Sequence, residues 1–149
     1  MENYELLRIV NEYGSPVYVY DSVKIKEQYE RLKKSFCRIE NLKINYAMKA
    51  LPNLAILKVM KNLGAGLDTV SIFEVQLGIM AGFEPSSIIY TPNGISMSEL
   101  SAAVVYGVQI NIDNLSLLEE FGSKYPTIPV SIRFNPHIMA GGNNNISVG

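Results

Sequence analysis

The feature that most restricts the fold is a repeated pairing of a short β-prone run with an amphipathic run. Lys43–Lys49, Leu67–Ser71, Ile88–Pro92, Val108–Asp113 and Pro129–Asn135 read as strands. Between them, Pro52–Leu63, Ile72–Ala81, Met97–Tyr106 and Leu115–Phe121 space apolar residues as helices do. The strands recur every roughly 20–23 residues, enough chain for a helix to carry each strand back parallel to the last. Gly14, Gly64, Gly82, Gly107 and Gly122 each follow an amphipathic stretch, where a helix C-cap glycine belongs. Upstream, Glu2–Tyr13 predicts a helix, Val17–Tyr20 a strand, and Ser22 to about Cys37 a helix begun by Asp21. Strands alternating with helices predict a parallel sheet, either open and doubly wound or closed as a barrel.

Side-chain parity separates these two. Ile44, Tyr46 and Met48 share one face of their strand, and Asn45, Ala47 and Lys49 the other. Val108, Ile110 and Ile112 oppose Gln109, Asn111 and Asp113; Val130, Ile132 and Phe134 oppose Ser131, Arg133 and Asn135. A doubly wound sheet is apolar on both faces, whereas a (β/α)8 barrel tolerates polar inward residues and uses them at its C-terminal rim. The expectation is therefore an α/β chain forming part of a TIM barrel. A whole barrel takes about 250 residues, and 149 residues with five such strands predict an N-terminal fragment that does not close its barrel.

Composition narrows the function. The chain is 48% hydrophobic and 18% charged, with a formal net charge of -1. No basic excess suits a nucleic-acid or anionic membrane surface. A single cysteine, Cys37, and a single histidine, His137, supply neither an internal disulfide nor a thiolate or imidazole metal site. No apolar run reaches the roughly 18 residues of a membrane helix, and the opening MENYELLRIV lacks the layout of a signal peptide. A soluble cytoplasmic protein is expected.

Lys49 is the sharpest candidate for chemistry. It ends an otherwise small or apolar strand on the inward face, where an amine can attack a carbonyl carbon. The plainer alternative is a lysine reaching from a strand end into water. Arg133 points inward near another strand end, so the mouth gathers two cations. Asp68 and Asp113 could balance them, as could an anionic ligand; a phosphate- and phenolate-bearing cofactor suits an arginine fork and a Schiff-base lysine, while an internal Arg133–Asp ion pair is the alternative. Ser71-x-x-Glu74, Ser96-x-x-Glu99 and Ser116-x-x-Glu119 read as helix capping boxes. Asn93 reads first as a turn residue, His137 as a surface residue, and Gly141–Asn145 as loop.

Taken in order, these segments resemble the fold-type III pyridoxal-phosphate decarboxylases. Asn45-Tyr46-Ala47-Met48-Lys49-Ala50 resembles the "YAxKA" strand end of that family, and Gly64–Ser71 with Glu74 is similar to "GAGxDVVSxxE". Thr91–Ser96 looks like "TGNGKS", Asn111–Asn114 like "NVDS", Ile132–Pro136 like "RVNP", and Ser15–Asp21 like "TPxYVYD". Residues 135–149 look most like the diaminopimelate decarboxylase branch, with Asn145 where the family often has lysine.

The resemblance implies a barrel of the alanine racemase-like type, with 1–21 contributing a helix and strand to a second β-domain and 22–149 forming the first part of the cofactor-binding barrel. It implies that Lys49 carries pyridoxal 5'-phosphate in imine linkage, that Arg133 helps to hold the cofactor, and that Asp68 belongs to the polar shell. It implies a homodimer with shared sites that decarboxylates an amino acid, meso-diaminopimelate to lysine and CO2 first. Ornithine, arginine or carboxynorspermidine decarboxylation is the alternative within the fold. A racemase, a non-catalytic pyridoxal-phosphate carrier and an α/β module with a solvated Lys49 remain as other readings. The family's ring-stacking histidine, glycine-rich phosphate segments and cross-subunit cysteine have no counterpart in this sequence, so the chain alone is expected to be inactive.

Overall fold

A computed structural model of the chain describes residues 2–134. The chain divides into two compact units, residues 1–42 and Lys43 onward.

In the first unit, α1 (Asn3–Tyr13) begins where Glu5 reaches back to accept the N–H of Glu2 at 2.9 Å, and ends at Gly14 with φ 84°. α2 (Ser22–Ser35) starts on the expected cap: the Asp21 carboxylate accepts the N–H groups of Val23 and Lys24 at 3.0 and 3.1 Å. Val17–Tyr20, expected as a strand, has no sheet partner among the described residues. Its β-propensity is real, but a strand exists only against a neighbour.

The second unit repeats strand and helix: β1 (Asn45–Ala47), α3 (Leu54–Asn62), β2 (Gly66–Thr69), α4 (Ile72–Met80), β3 (Ile88–Tyr90), α5 (Met97–Tyr106), β4 (Gln109–Ile112), α6 (Leu115–Lys124) and β5 (Val130–Ile132). All four neighbouring pairs are parallel and the sheet order is the chain order, β1-β2-β3-β4-β5. A doubly wound sheet reverses direction at a switch point. Stepping one way only, with right-handed crossovers, puts every helix on the same side and gives the arc of a barrel.

On β4 burial follows the predicted parity, and β2 and β3 divide in the same way. Leu67, Thr69, Ile88, Tyr90, Ile110 and Ile112 point into the helix layer and are buried, while Asp68, Ile89 and Asn111 on the other face are half-buried. Against the sheet the helices place Leu57, Val75, Leu100 and Phe121. Each fully buried aliphatic side chain contributes about 1.5–3 kcal/mol by leaving water. α4 lies close because Gly78 has no side chain: a Cβ there would come within 2.7 Å of Leu67 Cδ1. On β5 the parity holds but the cover is thin, since Ile132 is 63% exposed. The Tyr90 hydroxyl, on the covered face, has no hydrogen-bond partner among the described residues. Burial, with Glu99 adding a smaller effect, pushes this phenol up to about 12.

Several boundaries differ from expectation for local reasons. β1 ends at Ala47, and Met48–Ala50 form a 3-10 turn closed by Leu51 N–H donating to Met48 O at 3.1 Å. Pro52 precedes the cap of α3 rather than entering its first turn, because Asn53 takes the cap and accepts the N–H groups of Ala55 and Ile56. α6 is capped by Asn114, whose side chain accepts Leu117 N–H at 3.0 Å. Ser116, read as a cap, therefore lies inside that helix, and so does Gly122, read as its end. Ser96 and Glu99 form their box, with Glu99 accepting Ser96 N–H at 3.0 Å; at Ser71 only half of it forms, since Ser71 accepts Glu74 N–H at 3.2 Å but the Glu74 carboxylate accepts the N–H of Val70 at 2.7 Å. No helix among the described residues is long and apolar enough to cross a membrane.

Candidate active site

The inner face of the arc is built from alternate strand residues, and its polar members gather where the strands end. Register sets Ala47 beside Asp68, Asp68 beside Ile89, and Ile89 beside Gln109. Beyond β3 the ladder runs one residue further, as Thr91 N–H donates to Thr69 O at 2.8 Å. That keeps Thr91 on the inner face. Its hydroxyl donates to Asp68 Oδ1 at 2.9 Å and accepts from Asn111 Nδ2 at 2.9 Å. The result is a continuous polar chain across β2, β3 and β4.

Lys49 stands in the 3-10 turn at the C-terminal end of β1 and is exposed. The preceding Met48 is fully buried on the helix side, with its Cε near Gly78. The turn is stapled by the Tyr46 hydroxyl, which donates to Leu51 O at 3.3 Å. Among the described residues the Lys49 amine makes neither hydrogen bond nor ion pair.

Arg133 follows β5, where its N–H continues the ladder to Ile112 O at 2.8 Å. With Asp113, Asn93, Leu118 and Phe134 it lines a groove of about 430 Å³ at the rim of β4 and β5. The ion pair considered as the alternative does not form: among the described residues Arg133 pairs with no aspartate. Asn93 belongs both to its turn and to the groove. The structure thus joins Asp68 to Thr91 and Asn111, and groups Arg133 with Asp113 and Asn93. Lys49 and Arg133 sit at the ends of the two edge strands, β1 and β5. His137 and the Gly141–Asn145 stretch lie outside the described residues.

Sequence reasoning passed over Thr91, which reads as the first residue of the Pro92-Asn93-Gly94 turn. The available signal was its place two residues after Ile89 on the inward parity. Asn111 carried that parity signal openly but no role.

A one-sided arc of parallel strands, with an unpaired amine after its first strand and polar groups across its inner rim, defines a (β/α)-barrel protein of the kind that works at the C-terminal face. Residues 22–149 match the family described as "Pyridoxal-dependent decarboxylase, pyridoxal binding domain", and the chain belongs to that family. Its cofactor is pyridoxal phosphate. The chain is 36% identical over 147 residues to a diaminopimelate decarboxylase of Methanothermobacter thermautotrophicus, covering 97% of this chain and 34% of the relative. A crystal structure of diaminopimelate decarboxylase from Helicobacter pylori complexed with L-lysine is similar with a TM-score of 0.78 and 33% identity, over 91% of this chain and 35% of that one. A lysine/ornithine decarboxylase from Vibrio vulnificus, complexed with putrescine, is similar with a TM-score of 0.78 at 25% identity, over 87% and 35%. The chain spans about a third of the length of these relatives.

The residues present fit the cofactor. Among the described residues Lys49 has no competing partner, which suits the cofactor's aldehyde, and Arg133 has no carboxylate partner, which suits its anionic substituents.

Proposed function

We propose that this chain supplies the cofactor-bearing part of a pyridoxal-phosphate-dependent amino-acid decarboxylase, with Lys49 as the residue that holds the cofactor. The observation that carries the reading is the Lys49 amine at the end of β1, unpaired among the described residues and one strand from the Asp68 carboxylate. When bound, the cofactor supplies an electron sink for the pair of electrons left behind as CO2 departs. Lys49 Nζ would hold the cofactor through its aldehyde. Asp68, steadied by Thr91, belongs to the polar shell and offers negative charge toward cationic nitrogen at the mouth. Arg133 offers two parallel N–H groups to an anionic oxygen and helps to hold the cofactor.

We assign meso-diaminopimelate as substrate and L-lysine as product, supported by the names of the relatives. Ornithine or lysine decarboxylation is the second reading, favoured by the likeness to the Vibrio vulnificus enzyme. The same proposal makes residues 1–21 part of a β-domain and the whole protein a cytoplasmic homodimer that takes a small amino-acid substrate and binds neither nucleic acid nor membrane.

In the full-length protein, borohydride reduction with pyridoxal phosphate is expected to mark the peptide containing Lys49, and Lys49→Ala to abolish the cofactor's absorption band. An unaltered band in that variant refutes the assignment. Release of CO2 from meso-diaminopimelate, and not from ornithine, lysine or arginine, is the expected substrate result; the reverse order selects the second reading.

A further inference from the structure

The segment that carries Lys49 is a single 3-10 turn, Met48–Ala50, closed by one backbone bond from Leu51 N–H to Met48 O at 3.1 Å. A turn of this kind has poorer hydrogen-bond geometry than an α-helix, and one bond repays little of the cost of fixing its backbone. Two side chains hold it from outside. Met48 is fully buried, and its Cε would lie 3.6 Å from a Cβ placed on Gly78. Tyr46, half-buried on β1, spans the turn, its hydroxyl donating to Leu51 O at 3.3 Å. Leu51 is thus held at both its N–H and its C=O, and Pro52 after it favours the extended backbone it adopts, φ −164° and ψ 99°. Lys49 and Ala50 are the exposed residues of the turn. Among the described residues the Lys49 amine makes no hydrogen bond or ion pair, so the turn fixes where its side chain starts and no such bond fixes where it ends.

We infer that Tyr46 is a positioning residue: its hydroxyl, by tying the turn to the Leu51 carbonyl, fixes the point from which the Lys49 amine reaches the cofactor's aldehyde. The inference rests on the functional reading above. The linkage joins Lys49 Nζ to the aldehyde carbon, and the aldehyde oxygen leaves as water. An amine carried on a fixed turn has less freedom to lose on forming that bond, so a loosened turn shifts the balance towards unlinked cofactor. Arg133, offered above as a holder of the cofactor, follows the opposite edge strand, β5, and does not depend on this turn. Loss of the hydroxyl is therefore expected to weaken the covalent linkage and to spare noncovalent holding.

The test, in the full-length protein, compares the dissociation constants of pyridoxal phosphate and of pyridoxamine phosphate, which carries an amine in place of the aldehyde and cannot form the linkage. Tyr46→Phe keeps the ring and removes the donor. At 3.3 Å the bond is long for a hydroxyl donor, so the expected loss lies at the lower end for a neutral hydrogen bond, about threefold in the dissociation constant of pyridoxal phosphate. That of pyridoxamine phosphate is expected to stay unchanged. Tyr106→Phe is the control: it removes another part-buried hydroxyl, which accepts from Gln76 Nε2 at 2.8 Å and ties α5 to α4. It is expected to lower the urea midpoint at least as much as Tyr46→Phe and to leave both dissociation constants unchanged. An equal loss for both ligands in Tyr46→Phe, no loss for pyridoxal phosphate, or the same split in Tyr106→Phe overturns the inference, while borohydride labelling at Lys49 leaves the functional reading intact. Labelling at another lysine overturns the functional reading, and this inference with it.

Discussion

Tyr90→Phe isolates the cost of one buried oxygen. Tyr90 is fully buried at the end of β3, and its hydroxyl has no partner among the described residues. A hydroxyl taken from water without a partner costs about 1–3 kcal/mol. Phenylalanine keeps the ring and the packing, and the void left by one oxygen returns a few tenths of a kcal/mol at about 24 cal/mol per Å³. The net expectation is a gain of about 1 kcal/mol at neutral pH, read as a higher urea midpoint with unchanged slope. Alkaline pH supplies a second arm. The folded phenol keeps its proton to about 12 against an ordinary 10.0. Above pH 10 the unfolded chain therefore binds fewer protons than the folded one, and stability falls as pH rises, by roughly 2–3 kcal/mol in all between pH 10 and 12. Tyr90→Phe removes this share of the fall, so the gap between variant and parent widens across that window. A variant less stable than the parent by 1 kcal/mol or more, or a gap that does not change with pH, refutes the reasoning, since either outcome means that the hydroxyl is paired or hydrated.

Two further outcomes test the packing and the caps. Gly78→Val drives a branched side chain into Leu67 and Ile88, and is expected to cost about 1–3 kcal/mol in chemical denaturation, whereas Gly122→Ala, in open space within α6, is expected to be neutral or slightly stabilising. Asn114→Ala is expected to cost about 1 kcal/mol by removing the cap of α6, while Ser116→Ala stays within about 0.5 kcal/mol; the opposite order would restore the serine as the cap.

The strands and their faces were legible because two periods coincide in this sequence. A two-residue alternation within Val108–Asp113 separates Ile110 and Ile112 from Asn111 and Asp113, and burial divides them in the same way, Asn111 half-covered and Asp113 exposed. The strand–helix period then leaves few topologies, and parity chooses the barrel. What was not legible depends on partners. Val17–Tyr20 has strand composition but no sheet partner among the described residues, and β5 has the right alternation but an exposed Ile132. Caps were misread where two candidates compete over three residues: Asn114 and Ser116 both suit a cap, and the loop geometry decides. The same holds at Lys49. Sequence places it in a strand, but the Tyr46 hydroxyl and the Leu51 backbone fold its segment into a turn. Thr91 was hidden by its neighbours, since a turn motif draws attention to Pro92-Asn93-Gly94 and away from the hydroxyl that links Asp68 to Asn111.

The alternation within Gly66–Thr69 also guards the pairing of the sheet. Shifting β2 by one residue against its neighbours would press the Asp68 carboxylate into the oily layer under α4 and push Leu67 into water. The residues suited to chemistry thereby penalise mispairing, and a slipped strand loses its site and its anchorage together.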